Sequence, residues 1–206
     1  MPYTLRSDAV LMPHGEPSRA SVHIDGAHIA AGPGSSPIDL GDHIIAPGFV
    51  DLQVNGGGDV LFNDEPTVAS IEAIVAAHTR YGTTTLLPTF MTGPIDGMHR
   101  AAEAAAQLAR SPTSGVGGVH FEGPVFSPNK LGIHDSRYRK DKFPTETLVA
   151  GLPTLVTLAP EIAGPGGVRE LTERGVKVAV GHSDATAAET AGAIDAGATL
   201  ATHLFN

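Results

Sequence analysis

The stretch "VKVAVGHSDATAAETAGAIDAGATLATHLFN" (176–206) contains the unit that decides the fold. Its first part, "VKVAVGHSD", is a short apolar run that predicts a buried strand. The next part, "DATAAETAGAIDAG", is rich in alanine and begins at Ser183 or Asp184, either of which suits a helix N-cap. The last part, "ATLATHLFN", predicts a second strand. Strand, helix and strand in this order indicate a parallel sheet with helical crossovers.

The same alternation extends upstream to about residue 46. Further strands are predicted in "IIAPGFVDLQVN", "TTTLLPTF", "GVGGVHFEG" and "TLVTLAPE". Further helices are predicted in "EPTVASIEAIVAAHTRYG", "DGMHRAAEAAAQLAR", "PTETLVAGL" and "GPGGVRELTERG". The near-continuous apolar run of the first strand predicts burial on both faces. The chain is therefore α/β with about six βα units, which fits both an open doubly wound sheet and a (β/α)8 barrel.

Residues 1–45 have a different pattern. Their short alternating segments, separated by Gly and Pro, predict small β-strands joined by turns. We therefore expect two parts, a small β-rich part over 1–45 and the βα units over 46–206.

Composition excludes several classes of function. The 206 residues carry a formal net charge of −9, which disfavours binding to nucleic acid or to an anionic membrane surface. There is no cysteine, and hence no disulfide framework and no thiolate metal site. No apolar run approaches the roughly 18 residues of a membrane helix, and the N-terminus has no signal-peptide core. These features predict a cytoplasmic protein.

Side chains able to bind a metal stand at the carboxyl ends of three predicted strands: Glu122, His182 and His203. In barrel enzymes the active site is built at this end of the strands. Two imidazoles and one carboxylate form a catalytic-zinc ligand set, and the metal lowers the pKa of a water and polarises a carbonyl. The alternative is that these are structural residues, since the chain has ten histidines. We expect His120, on the same strand face as Glu122, to lie in the core or behind the ligands.

Five motifs in order carry a family resemblance: "APGFVDLQVNGGGDVLFND", "HFEGPVFSPNKLGIHD", "TLAPE", "GHSDAT" and "ATHLFN". Together they span about residues 46–206. This part of the chain resembles the N-acetylglucosamine-6-phosphate deacetylases of the amidohydrolase superfamily. The resemblance implies a (β/α)8 barrel with a small β-sandwich domain made from both chain ends, to which residues 1–45 contribute the N-terminal share. It also implies that Glu122, His182 and His203 bind a divalent metal, zinc first, with iron or another metal as alternatives.

The resemblance assigns roles to three residues around the substrate. His134 would contact the sugar and the acetyl group, and Ile133 would offer a backbone contact. Asn206 would open the turn that holds the substrate phosphate. The catalytic general acid/base of the family is an aspartate after the eighth strand, which lies beyond Asn206. We interpret Asp184 as a helix cap and Asp135 as a loop residue rather than as that base.

Gln53 and Asn55 stand where many superfamily members carry a His-x-His pair. Amide side chains are poor zinc ligands compared with imidazole, so we infer one metal rather than two. The glycines that follow, at 56–58, let the backbone pass close to its neighbours and lack the Lys-Ser/Thr of a phosphate-binding loop.

The implied reaction is hydrolysis of N-acetylglucosamine 6-phosphate to glucosamine 6-phosphate and acetate by a protein that is homodimeric at full length. N-Acetylgalactosamine 6-phosphate is the alternative substrate. A complete barrel takes about 250 residues, so we expect this sequence to be truncated. It would be a fragment of a longer protein, a chain completed by a second chain, or a non-catalytic module that binds metal or sugar phosphate.

Overall fold

The computed structural model describes residues 2–11, 14, 16–32 and 37–205. The chain divides into two compact units, residues 1–48 and 49–206. Within the described residues no helix combines the length and the apolar character that a bilayer crossing requires.

The first unit is a small β-sheet around one central strand. Its strands are β1 (Tyr3–Val10), β2 (Ser18–Asp25), β3 (His28–Ile29), β4 (Pro37–Asp39) and β5 (Ile44–Ile45). Strand β1 pairs antiparallel with β2 and parallel with β4 and β5, while β2 pairs with β3. The turn between β2 and β3 contains Gly26 at φ 60°, a left-handed conformation that glycine adopts without steric cost. The strands that the sequence predicts for this region are therefore present.

The second unit is built on a parallel sheet. Its strands are β6 (Phe49–Val54), β9 (Thr83–Met91), β10 (Val119–Glu122), β11 (Thr154–Leu158), β12 (Lys177–Val180) and β13 (Leu200–Ala201), with a separate hairpin of β7 (Gly56–Gly57) and β8 (Val60–Leu61). Every neighbouring pair in this sheet is parallel. The predicted α/β class is confirmed.

The strand order distinguishes between the two α/β architectures that the sequence leaves open. The order β6-β9-β10-β11-β12-β13 follows the chain without reversal, whereas a doubly wound sheet reverses at its switch point. In a flat sheet the two outermost strands would lie about 24 Å apart at ~4.8 Å per strand. Thr202, directly after β13, nevertheless donates a hydrogen bond from Oγ1 to Oε1 of Gln53 in β6 at 2.9 Å. The sheet is therefore strongly curled, which is consistent with part of a (β/α)8 barrel.

The described residues contain four α-helices, α1 (Val68–Thr79), α2 (Ile95–Ala109), α3 (Pro160–Glu173) and α4 (Ala187–Asp195), of which α3 is interrupted by a kink at Gly164. All four were predicted. The helix predicted within 144–152 is wrong, because only a 3-10 turn forms over Thr145–Thr147. The Thr147 hydroxyl donates to the Pro144 carbonyl at 2.8 Å, which supplies a local alternative to helical bonding, and Pro153 follows closely.

Strand β6 differs from its prediction. Phe49, Val50 and Leu52 are 65%, 61% and 43% exposed, and only Val54 of this strand is buried. Among the described residues β6 pairs only with β9, so it is an outer strand of the sheet. The prediction of burial on both faces is therefore wrong for this strand, whereas β10 and β11 are buried along their whole length.

Helix α4 begins later than the sequence suggests. Its N-cap is Thr186, not Ser183 or Asp184: the Thr186 hydroxyl accepts a hydrogen bond from the Glu189 backbone N–H, and the Glu189 carboxylate accepts one from the Thr186 N–H. This reciprocal capping box gives hydrogen-bond acceptors to the backbone N–H groups of Thr186 and Glu189, which have no acceptor within the helix because they lie at its first turn.

We expect Thr186→Ala to lower the free energy of unfolding by about 1 kcal/mol, because the N-cap acceptor is lost. Thr186→Ser keeps a hydroxyl and should retain most of the stability. Urea denaturation followed by circular dichroism measures both changes. Equal stability of Thr186→Ala and the original chain would contradict the assignment of this cap.

Candidate metal centre

Three strands deliver the candidate ligands to one edge of the sheet. Glu122 is the last residue of β10, while His182 and His203 each come two residues after the end of β12 and β13. Because the carboxyl ends of parallel strands share one edge, these three side chains converge there. One candidate ligand atom from each residue lies within 4.8 Å of the other two.

Both histidines point to the same carboxylate oxygen. His182 Nε2 lies 3.1 Å, and His203 Nε2 3.2 Å, from Glu122 Oε1. The two imidazole rings stand edge to face, with centroids 5.1 Å apart. The side chains of Glu122 and His182 are 4% and 11% exposed, whereas that of His203 is 43% exposed. One side of the cluster is therefore accessible to solvent.

An unusual backbone conformation turns both histidines toward the carboxylate. His182 has φ 53° and His203 has φ 52°, in the left-handed region that non-glycine residues rarely occupy. Each such residue costs about 1–2 kcal/mol, and residues of this kind concentrate at functional sites. Because the same conformation occurs after two neighbouring strands, both imidazoles approach Glu122 Oε1.

Hydrogen bonding fixes the tautomer of His182. Nδ1 lies 2.8 Å from the backbone carbonyl oxygen of Lys130, and since a carbonyl only accepts, Nδ1 carries the proton. In the neutral ring Nε2 then presents its lone pair to the Glu122 oxygen. Two acceptors 3.1 Å apart require a cation between them, either a proton or a metal. Burial disfavours the charged ring, but the hydrogen bonds to Glu122 and Lys130 favour it more, and the pKa of His182 is raised.

Glu122 is ionised within this cluster. Burial opposes ionisation, but the hydrogen bonds from His182 and Gln53 and the neighbouring histidines outweigh it and lower the pKa of Glu122 to about 2. The donor set is therefore one anionic carboxylate and two imidazole nitrogens, which fits a divalent metal such as zinc.

Gln53 lies beside the cluster, and both ends of its side-chain amide have a partner. Its amide donates to Glu122, and its Oε1 accepts the hydrogen bond from Thr202. Gln53 therefore orients the Glu122 carboxylate from the first strand of the sheet. Asn55 accepts a hydrogen bond at its backbone carbonyl from the Phe62 N–H, at the base of the β7–β8 hairpin.

His134 and Ile133 follow on the loop after β10. The His134 side chain is only 2% exposed, with Nε2 3.7 Å from Glu122 Oε2. Within the described part of the chain its Nδ1 has no hydrogen-bond partner. Burial lowers the pKa of His134 to about 4 in spite of the nearby carboxylate, so the ring is neutral. Ile133 is 85% exposed, and Asn206 lies outside the described residues.

His120 lies one layer below the cluster in the sheet interior. Its Nδ1 is 3.1 Å from Thr89 Oγ1 and its Nε2 is 2.8 Å from Thr157 Oγ1, so both ring nitrogens have partners. Burial lowers the pKa of His120 to about 4. With both nitrogens engaged and the ring 1% exposed, His120 belongs to the core beneath Glu122.

Sequence reasoning missed the residues that hold His182 in place. The Phe126 ring stacks on the His182 imidazole, with centroids 4.3 Å apart and an interplanar angle of 22°. Glu161 binds the turn that follows His182. The motifs "HFEGPVF" and "TLAPE" contain both residues, but nothing in their local pattern identifies a partner that is distant in the sequence.

Comparison with known proteins shows which proteins the chain is similar to. No protein-family model matches the chain. It is 38% identical over 167 residues to N-acetylgalactosamine-6-phosphate deacetylase of Shewanella sp. (strain ANA-3), covering 79% of this chain and 42% of that protein. It is 34% identical over 177 residues to N-acetylglucosamine-6-phosphate deacetylase of Haemophilus influenzae, covering 84% and 46%. The crystal structure of N-acetylglucosamine-6-phosphate deacetylase from Pasteurella multocida superposes with a TM-score of 0.90 at 31% identity, over 100% of this chain and 57% of that one.

The chain is homologous to the N-terminal part of N-acetylglucosamine-6-phosphate deacetylases. The resemblance drawn from the five motifs is thereby confirmed. The chain spans somewhat less than half the length of the curated relatives it matches.

Proposed function

We propose that this chain is the metal-binding part of a deacetylase that hydrolyses N-acetylglucosamine 6-phosphate to glucosamine 6-phosphate and acetate. The observation that carries the proposal is the convergence of three donor atoms on one point, from Glu122, His182 and His203. The homology to deacetylases supports the reaction class.

The three residues would hold one divalent metal, zinc first, with iron or another metal as alternatives. When bound, such a metal supplies an activated water and a Lewis acid for the amide carbonyl. Glu122 is already anionic, and the Nδ1 proton of His182 leaves Nε2 as the atom that would bind the metal in place of the proton it shares with Glu122. Engagement of Gln53 with Glu122 and Thr202 supports one metal rather than two.

His134 would contact the sugar and the acetyl group. Its neutral ring carries one N–H donor and lies with Nε2 3.7 Å from Glu122 Oε2, and its buried Nδ1 has no hydrogen-bond partner among the described residues. Ile133 would add a backbone contact, and Asn206 would open the turn for the substrate phosphate. The general acid/base is expected to be an aspartate beyond Asn206.

Three further features belong to the proposal. Residues 1–45 would form the N-terminal share of a small β-sandwich domain, and 46–206 the first six βα units of a (β/α)8 barrel. The full-length protein would be a cytoplasmic homodimer. The strand order and the curl of the sheet support the barrel.

N-Acetylgalactosamine 6-phosphate is the second candidate substrate, because the Shewanella relative that acts on it is 38% identical. The two sugars differ only at one hydroxyl. A chain that binds metal or sugar phosphate without turnover is the non-catalytic alternative.

Zinc titration of the metal-free chain and an acetate-release assay with both sugar phosphates test these proposals. We expect close to one equivalent of Zn²⁺ per chain. His43→Ala, which removes an exposed histidine far along the sequence from the cluster, should bind the same amount. Two equivalents would contradict the single site, and absence of zinc binding would contradict the metal centre. Turnover close to that of full-length relatives would contradict the placement of the base beyond Asn206.

A further inference from the structure

A glutamate on the helix after β11 holds the turn that follows His182. Glu161, in the first turn of α3, accepts two hydrogen bonds: Oε2 from Ser183 Oγ at 2.7 Å and Oε1 from the backbone N–H of Asp184 at 2.8 Å. Ser183 Oγ also accepts from the backbone N–H of Ala185 at 2.9 Å. One carboxylate therefore fixes three consecutive residues immediately after the candidate ligand.

The loop after β10 holds the same histidine from its other side. The backbone N–H of Ser127 donates to the His182 carbonyl at 3.0 Å, and the Lys130 carbonyl accepts from His182 Nδ1. The Asp184 carboxylate ties this loop to the turn, because it accepts from Ser127 Oγ at 3.3 Å and lies 3.4 Å from Lys130 Nζ.

These hydrogen bonds hold the backbone of His182 in a left-handed conformation that is unfavourable for a non-glycine residue. Without these restraints His182 would favour an extended conformation over the left-handed one, and its ring would turn away from Glu122. A buried or half-buried carboxylate that accepts two hydrogen bonds is a strong anchor, since charge-assisted hydrogen bonds are roughly twice as strong as neutral ones. Within the described residues, both hydrogen bonds of Glu161 go to the turn after His182 and neither to a cation.

We propose that Glu161 is a positioning residue for His182, an inference that rests on the proposed metal centre. It contacts neither Glu122 nor the other histidine in the hydrogen bonds of the structure. It acts by holding residues 183–185, so that the imidazole keeps its Nδ1 bond to Lys130 and aims Nε2 at the metal position. Outer partners of this kind typically govern metal affinity.

Zn²⁺ titration calorimetry of the metal-free chain tests the proposal. We expect Glu161→Ala to weaken Zn²⁺ binding by about 10-fold, the lower end of the usual loss on removing a direct hydrogen-bond partner of a ligand, because Glu161 holds His182 through the turn and not through its ring. Glu161→Gln keeps one acceptor for the Asp184 N–H and should recover part of the affinity. The matched control is Glu170→Ala, which lies in α3 beyond the kink at Gly164, since Glu170 is exposed and pairs only with Arg174 in the described structure. Its affinity should equal that of the original chain.

A spectroscopic readout separates positioning from general stability. In the zinc-loaded chain the Nδ1 proton of His182 should exchange slowly with water, because Lys130 holds it. Glu161→Ala should accelerate that exchange, while the ring signals of His120 stay in place. If Glu161→Ala fails to fold, Ser183→Ala removes one of the two hydrogen bonds and should give a smaller change in the same direction.

The outcomes keep the two proposals distinguishable. Failure of the original chain to bind Zn²⁺ would overturn the metal centre itself. Zinc binding by the original chain with an unchanged dissociation constant in Glu161→Ala would overturn only the positioning role. An equal loss of affinity in Glu170→Ala would also overturn it, because the effect would then not be specific to Glu161.

Discussion

Glu122→Gln should bind Zn²⁺ more than about 100-fold more weakly than the original chain, because a ligand contributes more than the outer partners that support it. The change replaces the one anionic donor of the cluster with a neutral amide, a poor zinc ligand beside imidazole. It also removes the negative charge from the group whose oxygen lies 3.1 and 3.2 Å from the two imidazole nitrogens. Calorimetric titration and metal analysis after dialysis measure the loss.

Glu103→Gln is the control for this substitution. Glu103 lies on the exposed face of α2, so the same chemical change there should leave zinc affinity as it was. A Glu122→Gln chain that retains one tightly bound Zn²⁺ would exclude Glu122 as a ligand. Comparison of the unfolding curves of both metal-free variants shows whether any loss of affinity comes from a loss of folded protein.

The architecture of the second unit could be predicted from the sequence because hydrophobic period and turn residues are local signals. The alternation of apolar runs and Ala-rich segments fixes the order of strands and helices. The exposure of β6 could not be predicted in this way, because an apolar run does not reveal how many strands and helices pack against it. The short 144–152 segment was misassigned because a threonine side chain competes with helical hydrogen bonds.

The candidate site was predictable to the extent that it follows from topology. Parallel strands deliver their carboxyl ends to one edge, which is enough to bring Glu122, His182 and His203 together. Their role as ligands stays a prediction. The left-handed turns at both histidines depend on tertiary restraints and leave no local trace in the sequence. Glu161 illustrates the same limit, because a glutamate in the first turn of a helix would ordinarily be attributed to the helix dipole.

Gly123→Ala should lower the free energy of unfolding by about 2–5 kcal/mol, from two separate causes. Gly123 has φ 93°, where an L-side chain costs roughly 1–2 kcal/mol. A methyl group there would overlap Thr92 Oγ1 and lie 2.9 Å from Phe126 Cε2, and such overpacking adds about 1–3 kcal/mol. For a chain of this length the melting temperature should fall by roughly 4–20 °C. Thermal and urea denaturation measure the change.

The same substitution should also weaken zinc binding, because the two displaced residues support the candidate ligands. Thr92 donates to the Glu122 carbonyl at 3.2 Å, and the Phe126 ring stacks on His182. Gly166→Ala is the matched control: a methyl group at that position, in the turn of α3 just beyond the kink at Gly164, meets no atom within 4 Å. Gly166→Ala should therefore be about as stable as the original chain. Equal melting temperatures of Gly123→Ala and Gly166→Ala would contradict the inference that close packing of Gly123 against Thr92 and Phe126 stabilises this site.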